Sequence, residues 1–138
     1  MATLNIKATF QCDIEKLWRV ITSTENYLWR SDLRNIEVIN DHKFIEHTKD
    51  GFATIFTVTA KVPYRRWEFD MENDNIKGHW IGVFTSHNSV TEIDFTEVVI
   101  SKKILLKPLV KWYLKKRQKK KRQKTYLQDL EKALANKF

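Results

Sequence analysis

The stretch YRRWEFDMENDNIKGHWIGVFTSHNSVTEIDFTEVVI, residues 64–100, decides the fold. Trp67, Phe69 and Met71 alternate with Arg66, Glu68, Asp70 and Glu72. A period of two is that of a strand with one dry and one wet face. Asn73-Asp74-Asn75 is a turn signal, and residues 76–85 read as the next strand. His87-Asn88-Ser89 turns the chain again. Beyond it Ile93, Phe95 and Val99 oppose Glu92, Asp94 and Thr96. Connections this short leave no room for a crossover, so these strands are antiparallel neighbours.

The same pattern extends upstream. FATIFTVTAKV, residues 52–62, is β-branched and aromatic and stops at Pro63. Lys49-Asp50-Gly51 marks a turn in which Gly51 is free to take positive φ. RNIEVIN (34–40) and KFIEHTK (43–49) are strands divided by Asn40-Asp41-His42. At the start, Leu4, Ile6, Ala8 and Phe10 point one way, and Thr3, Asn5, Lys7 and Thr9 the other. Asp13 stands as N-cap before IEKLWRVIT (14–22), where Ile14, Leu17, Trp18 and Ile21 share a helical face. Ser23 or Thr24 is placed to cap a second short helix carrying Tyr27, Leu28 and Trp29.

Past Ser101 a long helix is expected, with Pro108 in its first turn. Leu109, Val110 and Tyr113 form one apolar stretch of its stripe, and Leu127, Leu130 and Leu134 another. Between them the stripe passes through Lys116 or Arg117, Lys120, and Gln123 or Lys124. The result is an α+β chain in a single domain over residues 1–138: seven antiparallel strands, two short helices after the first strand, and one long C-terminal helix.

Composition bounds the function. The chain is 42% hydrophobic and 30% charged, with five Trp, four Tyr and eight Phe, which suits a bulky core or a lined cavity. Its net charge of +8 is local. Eight of the ten residues from Lys115 to Lys124 are Lys or Arg, leaving 17 basic against 17 acidic side chains elsewhere. A run of Lys, Arg and Gln can hold phosphates, but no zinc, homeodomain or ribonucleoprotein signature accompanies it to aim side chains at base edges, which argues against nucleic acid. ILLKPLVKWYLKKRQKKKR, residues 104–122, places apolar and aromatic residues beside cations and suits a peripheral contact with an anionic membrane. A solvated helix face accounts for the same charges. The lone Cys12, the absence of an apolar leader, and the lack of any run near the ~20 residues of a membrane span lead to the expectation of a cytoplasmic protein. The four His residues are not spaced as metal ligands. With three Gly in all, no nucleotide-binding loop is present, so no metal and no cofactor is implied. Nothing in the pattern fixes an oligomeric state.

FQCDIEKLWRVITSTENYLWRSDLRNIEVI (10–39), TVTAKVPYRRWEF (57–69) and the hairpin formed by GHWIGVF (78–84) and VTEIDFTEVV (90–99) together resemble the START-like superfamily. That superfamily includes the birch-pollen-allergen type and the polyketide cyclase/dehydrase and lipid transport family. The resemblance covers the whole chain, with Trp29 matching the Trp that ends the second helix. Two features depart from the pattern: SHNSV (86–90) replaces a Gly-rich turn, and the C-terminal helix is denser in cations than is usual. The resemblance implies the helix-grip fold, a curved sheet wrapped around the long helix. It also implies a hydrophobic or amphipathic small molecule held between them. A cyclase/dehydratase-like reaction in the same cavity is the alternative, although no catalytic motif is carried over.

The cavity candidates are the aromatics Trp29, Phe56, Trp67, Phe69, Trp80, Phe95 and Tyr113, with His79, Glu97, Arg117 and Lys120 as polar groups. Glu97 is in phase with Ile93, Phe95 and Val99 and should face inward. A carboxylate there needs a partner or an escape to water. It orients a ligand or moves a proton, or it pairs with a lysine of the helix, or strand twist returns it to solvent. Arg117 and Lys120 on the inward stripe would favour an acidic head group.

Overall fold

The computed structural model describes residues 2–102 and 116–135, the side chains of residues 2 and 116–122 excepted. Seven strands form one sheet: β1 (Ala2–Phe10), β2 (Leu33–Asn40), β3 (Lys43–Thr48), β4 (Ala53–Val62), β5 (Arg66–Glu72), β6 (Ile76–His87) and β7 (Val90–Ser101). Helix α1 spans Ile14–Thr22 and helix α2 spans Lys116–Ala135. The sheet order is β1-β7-β6-β5-β4-β3-β2, every pair antiparallel. β2 to β7 form a meander, and β1 closes onto β7 from Ala2 opposite Val99 to Phe10 opposite Thr91.

The turns follow the local chemistry. Gly51 takes φ 94 as expected, and Asn88 takes φ 58 between β6 and β7. Asn tolerates the left-handed region better than other non-Gly residues, so Asn88 serves where a Gly-rich turn would otherwise be needed. Register shifts in β2 and β4 mark bulges, which bend their strands and curve the sheet.

Both helices lie on the inner face. α1 buries Leu17, Trp18, Val20 and Ile21. Asp13 has the extended backbone of an N-cap, yet its side chain makes no capping bond. α2 turns Gln123, Leu130 and Ala133 fully inward, with Tyr126, Leu127 and Leu134 beside them, while Lys124, Glu131 and Lys132 face solvent. Lys16 Nζ on α1 donates to Leu134 O at 2.6 Å, a cation at the carbonyl end of α2 where the helix dipole favours it. Around α1 the core is solid: Leu17, Ile93 and Leu130 are fully covered, and Trp18 packs edge-on against Phe84 at 5.0 Å.

One expectation is corrected. The second short helix is absent, and residues 23–32 form turns. Ser23 does accept a bond from Asn26 N at 3.0 Å, as a helix cap would, but the chain then closes a single turn, Arg30 N to Tyr27 O at 2.9 Å. Tyr27 and Trp29 both line the inner space. Residues two apart fall on opposite sides of a helix, so an irregular segment meets this demand and a helix does not. The lead-in at 103–115, with Pro108, Leu109, Val110 and Tyr113, lies outside the described residues.

Candidate ligand-binding cavity

Between α2, the 23–32 segment and strands β3 to β7 lies a cavity of about 620 Å³. This falls inside the ~300–1,000 Å³ range usual for small-molecule sites. The interior is therefore packed at the α1 end and hollow at the other.

The hollow has an aromatic belt, one ring from each successive strand. Phe44 of β3 stacks on Phe56 of β4 with centroids 5.1 Å apart, and Phe56 meets Phe69 of β5 edge-on at 5.1 Å. Phe69 stacks on Trp80 of β6 at 5.0 Å, and Trp80 on Phe95 of β7 at 5.5 Å. Phe95 then reaches Tyr126 of α2 at 6.4 Å, and Tyr126 meets Trp29 at 5.4 Å. Strand register produces this arrangement: Phe44 is opposite Phe56 and Phe69 is opposite Trp80. Gly82 makes room for it. A Cβ there would lie 2.5 Å from the Trp80 ring, so only glycine lets that indole lie down along its strand.

Polar groups enter at two places. Glu97, on β7 opposite Trp80, is buried and accepts a hydrogen bond from Gln123 Nε2 at 2.9 Å. Because that amide must donate to the carboxylate, its oxygen points elsewhere. Gln123 Oε1 and Trp29 Nε1 are buried without a hydrogen-bond partner among the described residues. An orphan of this kind costs about 1–3 kcal/mol.

The second polar group is Arg30, whose guanidinium is held by Asp32 (3.1 and 3.0 Å) and Glu46 (two contacts of 3.3 Å). It also lies 5.2 Å from the Tyr126 centroid and 5.9 Å from that of Trp29, within cation–π range. Burial disfavours its charge, but Glu46 and Asp32 outweigh burial and push its pKa up. Burial likewise raises the Tyr126 phenol well above its ordinary value. Asp129 of α2 ties the same segment down by accepting from Ser31 N at 2.8 Å and Ser31 Oγ at 2.7 Å.

Of the residues expected at the cavity, Trp29, Phe56, Trp67, Phe69, Trp80, Phe95 and Glu97 line it. His79 does not. Adjacent strand residues face opposite sides, so with Trp80 inward His79 lies on the outer face, bonded to Asp70 at 2.6 Å and Glu68 at 3.1 Å. Tyr113 and the side chains of Arg117 and Lys120 lie outside the described residues. Glu97 accepts from the Gln123 amide, and the helix cations expected opposite it lie outside the described side chains. Phe44 and Tyr126 were not expected there, although each had a signal, and Gln123 was placed on the helix stripe only as an alternative to Lys124. Phe44 lies in phase with Glu46 and Thr48 on β3, all three lining the cavity. Gln123 and Tyr126 precede Leu130 by seven and four residues, which sets them on its helical stripe. The Arg30–Asp32–Glu46 cluster had none, since it joins an irregular segment to a strand.

The fold is the START-like helix-grip fold. A START superfamily protein from Mycobacterium smegmatis superposes with a TM-score of 0.80 at 11% identity, covering 98% of each chain. A conserved protein from Geobacillus kaustophilus gives 0.77 at 11% identity, over 98% of this chain and 95% of that one. A protein from Mesorhizobium loti gives 0.74 at 14% identity over 96% of each. No protein-family model matches the sequence, and no curated protein does either.

Proposed function

We propose that this chain binds a hydrophobic or amphipathic small molecule in the cavity between the sheet and α2, as a carrier or a sequestering protein. The observation that carries the reading is a hollow of about 620 Å³ walled by rings from five strands and one helix, with orphan polar atoms in the wall. The START-like fold supports it, because that architecture makes room for a guest between sheet and terminal helix. Catalysis in the same cavity has less behind it, since His79, one of the proton-moving candidates, lies on the far face. Membrane contact through residues 104–122 falls outside the described side chains. Among the described residues no helix is long and apolar enough to cross a membrane. A cytoplasmic location is part of the proposal; the single Cys12 is compatible with it, since one cysteine forms no intramolecular disulfide.

Native mass spectrometry of protein purified without detergent is expected to show an adduct of lipid-like mass. A hydrophobic fluorescent dye is expected to bind saturably at one site and quench the cavity tryptophans. Absence of both adduct and saturable dye binding would overturn the reading.

A further inference from the structure

Resting on that reading, we infer that the mouth of the cavity docks on an anionic lipid surface, through which the guest enters and leaves. The place of the mouth comes first. Among the described lining residues, Asp32, Lys49, Asp50 and Phe52 are the solvent-exposed ones. They meet at one spot: residues 49–52 are the β3–β4 turn, and Lys49 N donates to Asp32 O at 3.0 Å. The hollow opens there. Strand register sets what else lies at this end. Ile55 is opposite Glu72, and Ile76 is opposite Ser101. The β3–β4 turn, the β5–β6 turn and the end of β7 therefore share one end of the sheet.

The backbone of α2 begins at the same end. Its last turn meets Lys16 of α1, near Cys12 and the start of β7, where Thr91 Oγ1 donates to Cys12 O. Its Gln123 meets Glu97, toward the end of β7. From Gln123 back to Lys116 the helix climbs a further ~10 Å, about three strand residues, which brings its start level with Ile100 and Ser101. Charge follows from composition. Lys49, Lys77 and Lys102 at this end match Asp50, Glu72 and Asp74, and Arg30 holds Asp32. Residues 116–122, KRQKKKR, add six cations and no acid. The lip is also apolar. Phe52 is 42% exposed, and Leu28, between the lining residues Tyr27 and Trp29, is 87% exposed. Apolar side chains beside a basic helix suit the boundary between head groups and acyl chains, and anionic lipids attract such a segment. A polyanion in water would use the cations but give Phe52 nothing to contact. A water-insoluble guest, in turn, needs a reservoir facing the opening.

The experiment sediments the full chain with vesicles of phosphatidylcholine, alone or mixed with phosphatidylglycerol, at low and raised salt. Binding to the mixed vesicles is expected to be at least about tenfold tighter and to weaken with salt. Phe52→Asp and Lys49→Glu are each expected to weaken it several-fold. Val62→Asp, at the opposite end of β4, is expected to leave it unchanged. Equal affinity for the two vesicles, binding to neither, or a loss with Val62→Asp as large as that with Phe52→Asp would each overturn the inference. The cavity reading is tested apart, by the native-mass adduct and saturable dye binding, so the two fail separately. Lys49 is exposed, so Lys49→Glu keeps the test in force if Phe52→Asp folds poorly.

Discussion

Gly82 is the residue on which the aromatic wall depends. A Cβ at this position would meet two atoms of the Trp80 ring at 2.5 Å. Trp80 cannot retreat sideways, being stacked on Phe69 and Phe95. Gly82→Ala is therefore expected to lift the indole into the hollow. Overpacking of this kind costs about 1–3 kcal/mol, readable by urea denaturation, and cavity affinity should fall with it. A variant with unchanged stability and tryptophan emission would contradict this account.

His79 shows a second residue-scale effect, on the wet side of the sheet. Partial burial opposes its charge, but hydrogen bonds to Asp70 and Glu68 prevail and raise its pKa above 6.5. Glu68 is shifted the other way, below its ordinary 4.5, by Arg66 and then His79. The imidazolium contribution is whole below pH 6.5 and is lost as pH rises through the raised value. The Glu68 contribution is present above pH 4.5 and is lost as pH falls through the lowered value. The cluster thus stabilises most between the two. His79→Gln is expected to flatten the decline in stability on going from about pH 6 to pH 8, followed by thermal melts across that range. An unchanged pH profile would reject the clamp.

At the scale of elements, the segment between α1 and β2 is held by tethers. Asp129 takes two donors from Ser31, Arg30 binds Glu46 on β3, and Trp29 rests on Tyr126. Asp129→Ala leaves the Ser31 amide and hydroxyl without their acceptor, an expected loss of about 1–3 kcal/mol. Amide exchange should quicken across residues 23–32 before it does in the strands. Equal protection in variant and parent would show that the tether is not what orders this segment. The same tethers explain why a helix-like sequence does not form a helix here. Ser23 supplies the cap, but contacts to α2 and β3 set the path beyond it, and local propensity yields to them.

Across the whole molecule, the strands were legible because alternation is a local signal, read within each strand from β1 to β7. The inward direction of Glu97 and of the belt rings on β4 to β7 followed from that alternation alone. The same alternation separates His79 from its neighbour Trp80, so expecting both at the cavity ran against it. The Arg30 cluster was not legible, because no period links an irregular segment to β3. Nor was the hollow itself: the same rings could have closed a core, and only their placement across five strands in three dimensions leaves the space open.

The pairing of β1 with β7 has a consequence in time. Roughly 80 residues separate Phe10 from Val90, and a ribosome adding ~5–20 residues per second takes about 4 to 16 s to make them. Throughout that interval the opening strand has no neighbour to receive its amides, and its apolar row of Leu4, Ile6 and Phe10 needs cover. The nascent chain is thus sticky throughout that interval, and its apolar face stays open until β7 and then α2 have emerged.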